Sequence, residues 1–552
     1  MVVYQIFPQS FYDANDDGIG DIRGIIKKLP YLKELGINAI WLCPIFLSPM
    51  VDNGYDISDY YTIHPRYGSL EDFKDLLADS KKSEIQIFLD LVVNHCSIEH
   101  EWFQKALANP ESDWADYFII KKSKDGKEPN NWRSIFGGSV WERIKDTHYF
   151  YYHTFNKAQP DFNWENPALR KEIYKIISYW LEMGVSGFRI DAITFIKKDL
   201  SFQSLPADQE DGLVALRKVG INYPGIEVFL EEMKRETFDK YNAFTVAEMS
   251  SINPKNLSLY VGEGGAFDSI FDFSFMNLDL AGTTHWYNKK KFTAKEILHA
   301  YFDSQKYAVD ISAYLSLALE NHDQPRAIHK WVEKEDISFK SLSMIALLQF
   351  ALRGIPFIYQ GQEIGMQNYP WKNIDEINDI KSLGQYESAL LAGKSAKEAF
   401  DAVSYRSRDN ARTIMQWNKT KYGGFSKGPT AYHIKKNYKK INICNLQKKK
   451  TSLWHFYKKL ITLRLKSQWA NVLSQGGIKQ LAFESDHIIA FSRFLPCVHL
   501  VCLINYSSKK QNFPLSYEPK KIIINNYSKL SYFDDQFVLK PFQAVLFEPK
   551  LL

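Results

Sequence analysis

The sequence has few of the features that mark secreted or membrane-bound proteins. Its five cysteines show no paired spacing, which favours a reducing compartment over a disulfide framework. No stretch reaches about 18 uninterrupted apolar residues, the length of a membrane-spanning helix. The first residues lack the charged and apolar segments of a signal peptide. We therefore expect a cytoplasmic protein with no membrane partner; the five cysteines are Cys43, Cys96, Cys444, Cys497 and Cys502.

The chain also lacks a strong excess of charge of either sign. Its net charge is +5 over 552 residues, and lysine-rich stretches such as 448–450 are typical of solvated surface. Because no basic stripe accompanies a nucleic-acid motif, we expect no nucleic-acid partner. Aromatic residues, by contrast, make up 15% of the chain. They suit a large core and the apolar faces of bound sugars equally well.

The first 365 residues alternate short apolar runs with amphipathic helical stretches. The runs are nearly continuous, as expected of parallel strands that are buried on both faces. One intervening helix is marked by Asn166-Pro167 at its start and Gly184 at its end. Eight such units in series predict an α/β fold, the (β/α)8 TIM barrel. The predicted strands are Val3–Phe7, Ile37–Leu42, Ile87–Val93, Val185–Ile190, Phe244–Ala247, Ser269–Phe271, Tyr314–Leu319 and Pro356–Tyr359.

Other parts of the chain depart from this pattern. About ninety residues separate the third and fourth strands, which predicts an inserted subdomain after the third strand. Residues 366–450, after the eighth strand, are predicted to be irregular. Beyond about residue 475, short alternating strands predict a C-terminal all-β sandwich domain. The predicted domains are barrel 1–95, inserted subdomain 96–166, barrel 167–474 and β-sandwich 475–552, with C-terminal strands at His487–Phe494, Val498–Asn505, Lys521–Asn525 and Gln543–Phe547.

Polar side chains follow several of the predicted barrel strands, where barrels of this kind carry their chemistry. A single carboxylate at a strand end is more often a loop cap than a catalyst. Three carboxylates arriving from three strands repel one another, and such a cluster indicates function. Arg189 and Asp191 are two residues apart and share one strand face. The strand-end residues are Asp90, Asn94, His95, Arg189, Asp191, Glu248, His322 and Asp323.

Four segments, DLVVNH, GFRID, TVAE and ENHD, resemble in order and spacing the motifs of the α-amylase family, glycoside hydrolase family 13. QPDFN at 159–163 and SRDNAR at 407–412, followed by MQW at 415–417, resemble its oligo-1,6-glucosidase subfamily. The resemblance covers nearly the whole chain and implies the same barrel, insertion and β-sandwich. It implies a retaining, exo-acting α-glucosidase that acts on short oligosaccharides such as isomaltose, with α-1,6 bonds favoured and α-1,4 bonds accessible.

The resemblance also implies a role for individual residues. Asp191 is the expected nucleophile, Glu248 the expected acid/base, and Asp323 the carboxylate that distorts the sugar ring. A retaining mechanism needs one ionised and one protonated carboxyl about 5–5.5 Å apart. Arg189 favours ionised Asp191, whereas Glu248 must keep a proton. The expected substrate-binding residues are Asp52 paired with Arg412, Tyr55 as a stacking platform, His95, Arg189 and His322.

The segment DANDDGIGD resembles the start of a calcium loop. Oxygen-bearing side chains alternate along it, and Gly18 supplies the turn. The resemblance implies a structural Ca²⁺ and no organic cofactor, while the alternative is a plain Asp/Asn-rich turn. The expected ligands are Asp13, Asn15, Asp17 and Asp21, with the backbone oxygen of Ile19.

Three alternatives stay open. Ala192 follows the expected nucleophile where α-1,6-specific members of the subfamily carry Val, so the linkage preference is not fixed. Within the family, the alternatives are a sucrose isomerase and a trehalose-6-phosphate hydrolase. Outside catalysis, the alternative is an inactive, transporter-associated binding subunit, which would lack the carboxylates that this chain keeps. The sequence does not fix the oligomeric state, and a monomer is compatible with it.

Overall fold

The computed structural model describes residues 1–123, 125–282, 285–482, 484–514 and 517–550. Eight short strands lie within two residues of the predicted ones at each end. They supply the (β/α)8 barrel, so the predicted fold class is confirmed. The strands are β1 (Val3–Ile6), β2 (Ala39–Leu42), β3 (Gln86–Val92), β4 (Gly187–Asp191), β5 (Phe244–Ala247), β6 (Ser269–Ile270), β7 (Ser316–Ala318) and β8 (Ile355–Tyr359).

Helices occupy the intervals between these strands. The helix before β4 begins where predicted, because Oδ1 of Asn166 accepts the N–H groups of Ala168 and Leu169. It ends at Gly184, whose φ of 111° lies in the left-handed region. The main helices are Ile22–Leu35, Leu70–Lys82, Pro167–Met183, Ile226–Met233, Ala294–Asp310, Phe339–Ala351 and Leu453–Lys466, with shorter ones at Glu101–Ala108, Leu257–Tyr260, Ala327–Trp331, Ile443–Lys448 and Ala470–Ser474.

The chain divides into two compact units. The terminal unit comprises residues 1–20, 27–39 and 272–552, and the middle unit comprises residues 21–26 and 40–271. Within the terminal unit the strands lie in the order β1-β8-β7, and within the middle unit in the order β2-β3-β4-β5-β6. All of the pairings recorded in these runs are parallel. The register of β3 and β4 places Arg189 opposite Asp90.

The stretch between β3 and the helix before β4 forms a small antiparallel sheet, with Tyr149–Tyr152 between Ile120–Lys122 and Trp141–Arg143. A second excursion, after β4, joins it, since Val214–Ala215 pairs in parallel with Trp132–Arg133. Sequence analysis gave no sign of this second excursion. The two segments share a buried apolar cluster that includes Trp132, Tyr152, Phe202, Leu216 and Ala192, the residue directly after Asp191.

The prediction that residues 366–450 are irregular is wrong in part. Two helices, Ile380–Leu391 and Ala396–Arg406, occupy its centre. Both begin at a side-chain cap, Asp379 for the first and Ser395 for the second. The second also carries a capping box, because Glu398 bonds back to Ser395. Turn residues on either side hid these helices from the periodicity argument.

The C-terminal region is all-β, as predicted. Two antiparallel sheets share one apolar core, which includes Val501, Phe513, Phe537 and Phe547. The five-stranded sheet contains Gly477–Gln480, Ile488–Leu495, Val498–Asn505, Pro519–Asn525 and Ala544–Pro549; the three-stranded sheet contains Gln511–Pro514, Ser531–Phe533 and Gln536–Leu539. The exact domain boundaries at residues 96, 167 and 475 stay predictions.

Candidate active site

The middle unit gathers three carboxylates around one arginine. Nη1 of Arg189 donates to Oδ1 of Asp90 at 2.7 Å and to Oδ1 of Asp191 at 2.6 Å. Its Nη2 donates to Oε2 of Glu248 at 2.7 Å. Asp191 is the last residue of β4, and Glu248 directly follows β5. Three neighbouring strands therefore bring their carboxylates to a single guanidinium group.

The charges of this cluster do not balance. Burial raises the pKa of Asp90 to about 6, although Arg189 opposes it. Burial likewise raises the pKa of Asp191 well above its ordinary value, with Arg189 lowering it and Glu248 adding repulsion. One cation cannot neutralise three anions, so the cluster keeps at least one proton near neutral pH.

The two expected catalytic carboxyls differ in access. The side chain of Asp191 is 10% exposed and that of Glu248 is 31% exposed. The N–H of Ala192 donates to Oε2 of Glu248 at 3.2 Å. Ala192 itself has φ 44° and ψ 27°, in the left-handed region, where a β-branched side chain is strained. The residue after the expected nucleophile is thus both buried and conformationally unusual.

The other predicted residues of the middle unit lie close by. The hydroxyl of Tyr55 donates to Oδ2 of Asp90 at 2.8 Å, and the Tyr55 ring faces Arg189 at 5.9 Å. Nε2 of Gln159, from the QPDFN segment, lies 3.4 Å from Oδ2 of Asp52 and 3.1 Å from Nε2 of His95. Burial lowers the pKa of His95, so its ring is neutral near pH 7. Gln159 therefore joins two predicted substrate-binding residues.

A buried ion pair fixes the QPDFN segment. Nζ of Lys198 lies 2.8 Å from Oδ2 of Asp161 and donates to Oδ1 of Asn94 at 2.9 Å. Asp161 also accepts the backbone N–H and the hydroxyl of Thr154. Lys198 follows Asp191 by seven residues, so the pair ties the inserted segment to the chain leaving β4.

The terminal unit holds Asp323 in the opposite electrostatic setting. Oδ1 of Asp323 accepts Nη1 of Arg408 at 3.1 Å and Nη2 of Arg412 at 3.2 Å. Burial acts to raise the pKa of Asp323, but the charges of Arg408, His322, Arg412 and Lys381 outweigh it and hold that pKa well below the ordinary value. Asp323 is therefore ionised throughout the neutral range.

Both arginines come from the SRDNAR segment and share a second partner. Nε of Arg408 donates to Oδ1 of Asp379 at 2.6 Å, and Nη1 of Arg412 lies 3.6 Å from the same atom. Asp379 caps the helix Ile380–Leu391 and is fully buried. The helix missed by sequence analysis thus anchors the segment that holds Asp323.

His322 is fixed from the side of β1. Nε2 of Gln5 donates to Nδ1 of His322 at 2.8 Å, and the ring stacks on Phe7 at 6.2 Å. Its Nε2 lies 3.5 Å from Oδ1 of Asp323. The guanidinium of Arg412 also faces Phe7, at 5.6 Å. His322, Asp323 and Arg412 therefore form one preorganised group. The predicted pair of Asp52 with Arg412 stays a prediction.

The expected metal loop is ordered by its own side chains. Oδ2 of Asp13 accepts the N–H of Gly18 at 2.7 Å, and Oδ1 of Asp17 accepts the N–H of Ile19 at 2.8 Å. Oδ1 of Asn15 accepts the N–H of Asp17. Asp21, in the middle unit, accepts the N–H of Gly24 at 2.6 Å. Within the described ranges, no three His, Cys, Asp or Glu side chains are grouped to hold a metal ion.

Three residues that contact the expected site were not assigned to it from sequence. Asp90 was seen at a strand end, and its register opposite Arg189 was the available signal. Arg408 lies in the quoted SRDNAR segment, and Gln159 in QPDFN. Both contacts depend on long-range packing, which motif spacing does not report.

Comparison with known proteins decides the family. A model of the α-amylase catalytic domain matches residues 5–475. This chain belongs to the α-amylase family. An oligo-1,6-glucosidase of Bacillus cereus is 38% identical to it, across 100% of the chain and 98% of the relative. The matching family model and the relatives named oligo-1,6-glucosidase show that this protein is a glycoside hydrolase.

Two solved structures of the α-amylase family show the same architecture over nearly the whole chain. A trehalose-6-phosphate hydrolase of Bacillus licheniformis has a TM-score of 0.92 and 36% identity, covering 99% of this chain and 98% of that one. An isomaltulose synthase of Klebsiella sp. LX3 has a TM-score of 0.93 and 33% identity, covering 100% and 98%. In the described part of the chain, every helix is too short or too polar to cross a membrane.

Proposed function

We propose that this family member is a retaining, exo-acting α-glucosidase that removes glucose from short α-glucosides, with α-1,6 bonds favoured. The observation that carries the proposal is the shared guanidinium of Arg189. Because Asp191 and Glu248 bind its two neighbouring nitrogens, they are held side by side. That arrangement favours the separation of about 5–5.5 Å used by retaining enzymes over the separation of about 6.5–9.5 Å used by inverting ones.

In this mechanism Asp191 attacks the anomeric carbon and forms a covalent glucosyl-enzyme. Glu248, the more accessible carboxyl, gives its proton to the leaving oxygen and then takes one from water. Arg189 opposes the effect of burial on the pKa of Asp191 and so favours the attacking carboxylate. Glu248 alone changes from acid to base, while Asp191 is released as a carboxylate when water attacks the intermediate. Asp323, held ionised by Arg408 and Arg412, accepts hydrogen bonds from hydroxyl groups of the sugar and favours the distorted ring.

The anomer of glucose released first tests the mechanism. Proton NMR during the first minutes of p-nitrophenyl α-glucoside hydrolysis should show α-glucose, with the β-anomer appearing only by mutarotation, because the phenol leaving group has no anomeric carbon of its own. Initial release of β-glucose contradicts a covalent intermediate on Asp191.

A panel of substrates tests the linkage and the two alternatives within the family. Isomaltose, isomaltulose, maltose, sucrose and trehalose 6-phosphate are compared by kcat/KM. We expect the highest value for isomaltose, in keeping with the relative from Bacillus cereus. A preference for trehalose 6-phosphate, or release of isomaltulose from sucrose, would assign the chain to the activity of one of the two solved structures instead.

We further propose a structural Ca²⁺ at Asp13, Asn15, Asp17, Ile19 and Asp21. The oxygen donors suit a hard cation, and a Cβ at Gly18 would meet the backbone oxygen of Pro429 at 2.1 Å, so this turn is tightly packed. Calcium should raise the melting temperature over that in a chelator, because a ligand bound only to the folded state stabilises it. Asp17→Ala should abolish the shift, while Asp16→Ala, at the neighbouring side chain, should keep it.

We also propose that the enzyme works in the cytoplasm as a monomer. All five cysteines are free, and three of them are buried, which suits a reducing compartment. Sedimentation velocity at micromolar concentration tests the oligomeric state, with a single species near 64.2 kDa expected. A stable dimer peak would contradict it.

A further inference from the structure

The excursion that follows β4 carries an arginine that contacts the loop after the expected acid/base. Val214 and Leu216 are both 2% exposed and anchor this segment in the apolar cluster shared with the inserted sheet. Arg217, between Leu216 and Lys218, is exposed. Its backbone position is therefore fixed by buried neighbours while its side chain faces solvent.

The same segment is tied to the chain beyond both expected catalytic carboxylates. The N–H of Asn222 donates to the backbone oxygen of Thr194 at 2.9 Å, three residues after Asp191. Nδ2 of Asn222 donates to the backbone oxygen of Ser250 at 2.8 Å, two residues after Glu248. The segment from Leu216 to Asn222 thus spans the two loops that leave β4 and β5.

Arg217 contacts the second of these loops. Its Nη1 donates to Oγ of Ser250 at 3.5 Å. Ser250 lies two residues after Glu248, so this contact brings the guanidinium to the loop that carries the expected acid/base. Desolvation by the surrounding protein lowers the pKa of Arg217, and the charge of Glu248 acts in the other direction. The nearby ions are already paired: Lys218 with Asp208 at 3.0 Å, and Arg133 with Asp211. Arg217 has no such carboxylate partner within the described ranges.

We propose that Arg217 is a specificity-determining residue that hydrogen-bonds the hydroxyl groups of the leaving sugar. The proposal rests on the proposed function, in which Glu248 protonates the leaving oxygen. The leaving group must then lie beside Glu248, on the side from which that carboxyl is accessible. A guanidinium fixed at that position offers five N–H donors to a polyhydroxylated ring.

The test compares two substrates that share the transferred glucose and differ in the leaving group. The leaving group of isomaltose is a sugar, whereas that of α-glucosyl fluoride is a fluoride ion, which has no hydroxyl groups. Arg217→Met should lower kcat/KM for isomaltose about 10- to 100-fold, the effect of losing a hydrogen bond from a charged donor. For glucosyl fluoride the change should stay below about threefold. Arg217→Lys should restore part of the isomaltose activity.

Lys218→Met is the matched control, since it removes a neighbouring exposed charge that pairs with Asp208. It should leave the ratio of the two kcat/KM values unchanged. Melting temperatures of all variants are measured alongside. If Arg217→Met lowers kcat/KM equally on both substrates, or on neither, the proposal is overturned. It is also overturned if Lys218→Met changes the ratio of the two kcat/KM values as much as Arg217→Met does. Absence of wild-type activity on glucosyl fluoride would instead overturn the proposed function.

Discussion

The two groups of expected site residues use carboxylates in opposite ways. In the middle unit, one cation, Arg189, serves Asp90, Asp191 and Glu248. In the terminal unit, two cations, Arg408 and Arg412, converge on Asp323. The first group is short of positive charge and keeps a proton near neutral pH, and the second is held ionised. The ratio of cations to anions, rather than residue type, sets which carboxyl can act as an acid.

The largest expected effect comes from breaking the middle group at Asp191. Asp191→Ala should lower kcat on isomaltose at least about 10³-fold, because no covalent intermediate can form. Azide added to this variant should yield β-glucosyl azide from glucosyl fluoride, since the small anion occupies the vacated position. Retention of more than a tenth of the activity, with an unchanged melting temperature, would remove Asp191 from the role of nucleophile.

With azide, a variant of Glu248 should give the glucosyl azide of the anomer opposite to that from the Asp191 variant. Glu248→Gln leaves the nucleophile in place, so azide should attack the glucosyl-enzyme and yield α-glucosyl azide. Losses in kcat/KM should be largest, about 10²- to 10⁴-fold, for sugar leaving groups, and smallest for acidic phenols that need no proton. A flat dependence on leaving-group acidity, with glycosylation rate-limiting, speaks against Glu248 as the acid.

A smaller change to the middle group tests the linkage. Ala192→Val should suppress maltose hydrolysis relative to isomaltose by about tenfold to a hundredfold, because the leaving ring of an α-1,4 substrate lies closer to the bond. Residue 192 has a left-handed backbone, in which a Val side chain is strained, so the melting temperature of the variant should also fall. Ala192→Gly, which relaxes that strain, is the control and should keep both substrates. Equal loss of maltose and isomaltose in the Val variant would show that this position does not read the linkage.

The smallest expected effect concerns stability and pH, and it sharpens the comparison directly. Burial raises the pKa of Asp90 to about 6, so its contribution to stability is present below its unfolded pKa of about 4 and is lost as the pH rises through about 6. The lowered pKa of Asp323 has the opposite sign: its stabilisation is present above about pH 4 and is lost only as the pH falls through a lower value.

The melting temperature of the wild type minus that of Asp90→Asn should therefore fall by about 2–4 °C from pH 4 to pH 7. The corresponding difference for Asp323→Asn should stay constant across that range. Parallel curves for the two variants would show that the two carboxyls do not differ in protonation.

The barrel could be predicted from sequence because buried parallel strands leave continuous apolar runs, as at Phe244–Ala247, which the structure reproduces without a shift. The same local signals found the helix capped by Asn166. Asp191 and Glu248 were found because they lie at a strand end or directly after one, and Asp323 because it lies in the ENHD segment shortly after β7. In each case the information is local in the chain.

Long-range contacts could not be read in this way. The pairing of Val214 with Trp132 joins residues 82 positions apart through two short strands that carry little pattern of their own. Arg408 reaches Asp323 across 85 positions, and its anchor is a helix hidden among turn residues. The contact between Asp90 and Arg189 becomes visible only when the register of β3 and β4 is known.

The register of β4 and β5 has a consequence for engineering. Because Ile190 lies opposite Ala247, Asp191 and Glu248 directly follow a matched pair of residues, and the spacing of the two reacting carboxyls is set by strand pairing and not by the loops above it. The segments that carry Tyr55, Gln159 and Arg217 can then be exchanged for those of other family members. Such chimaeras should change which bond is cut while every product keeps the same stereochemistry.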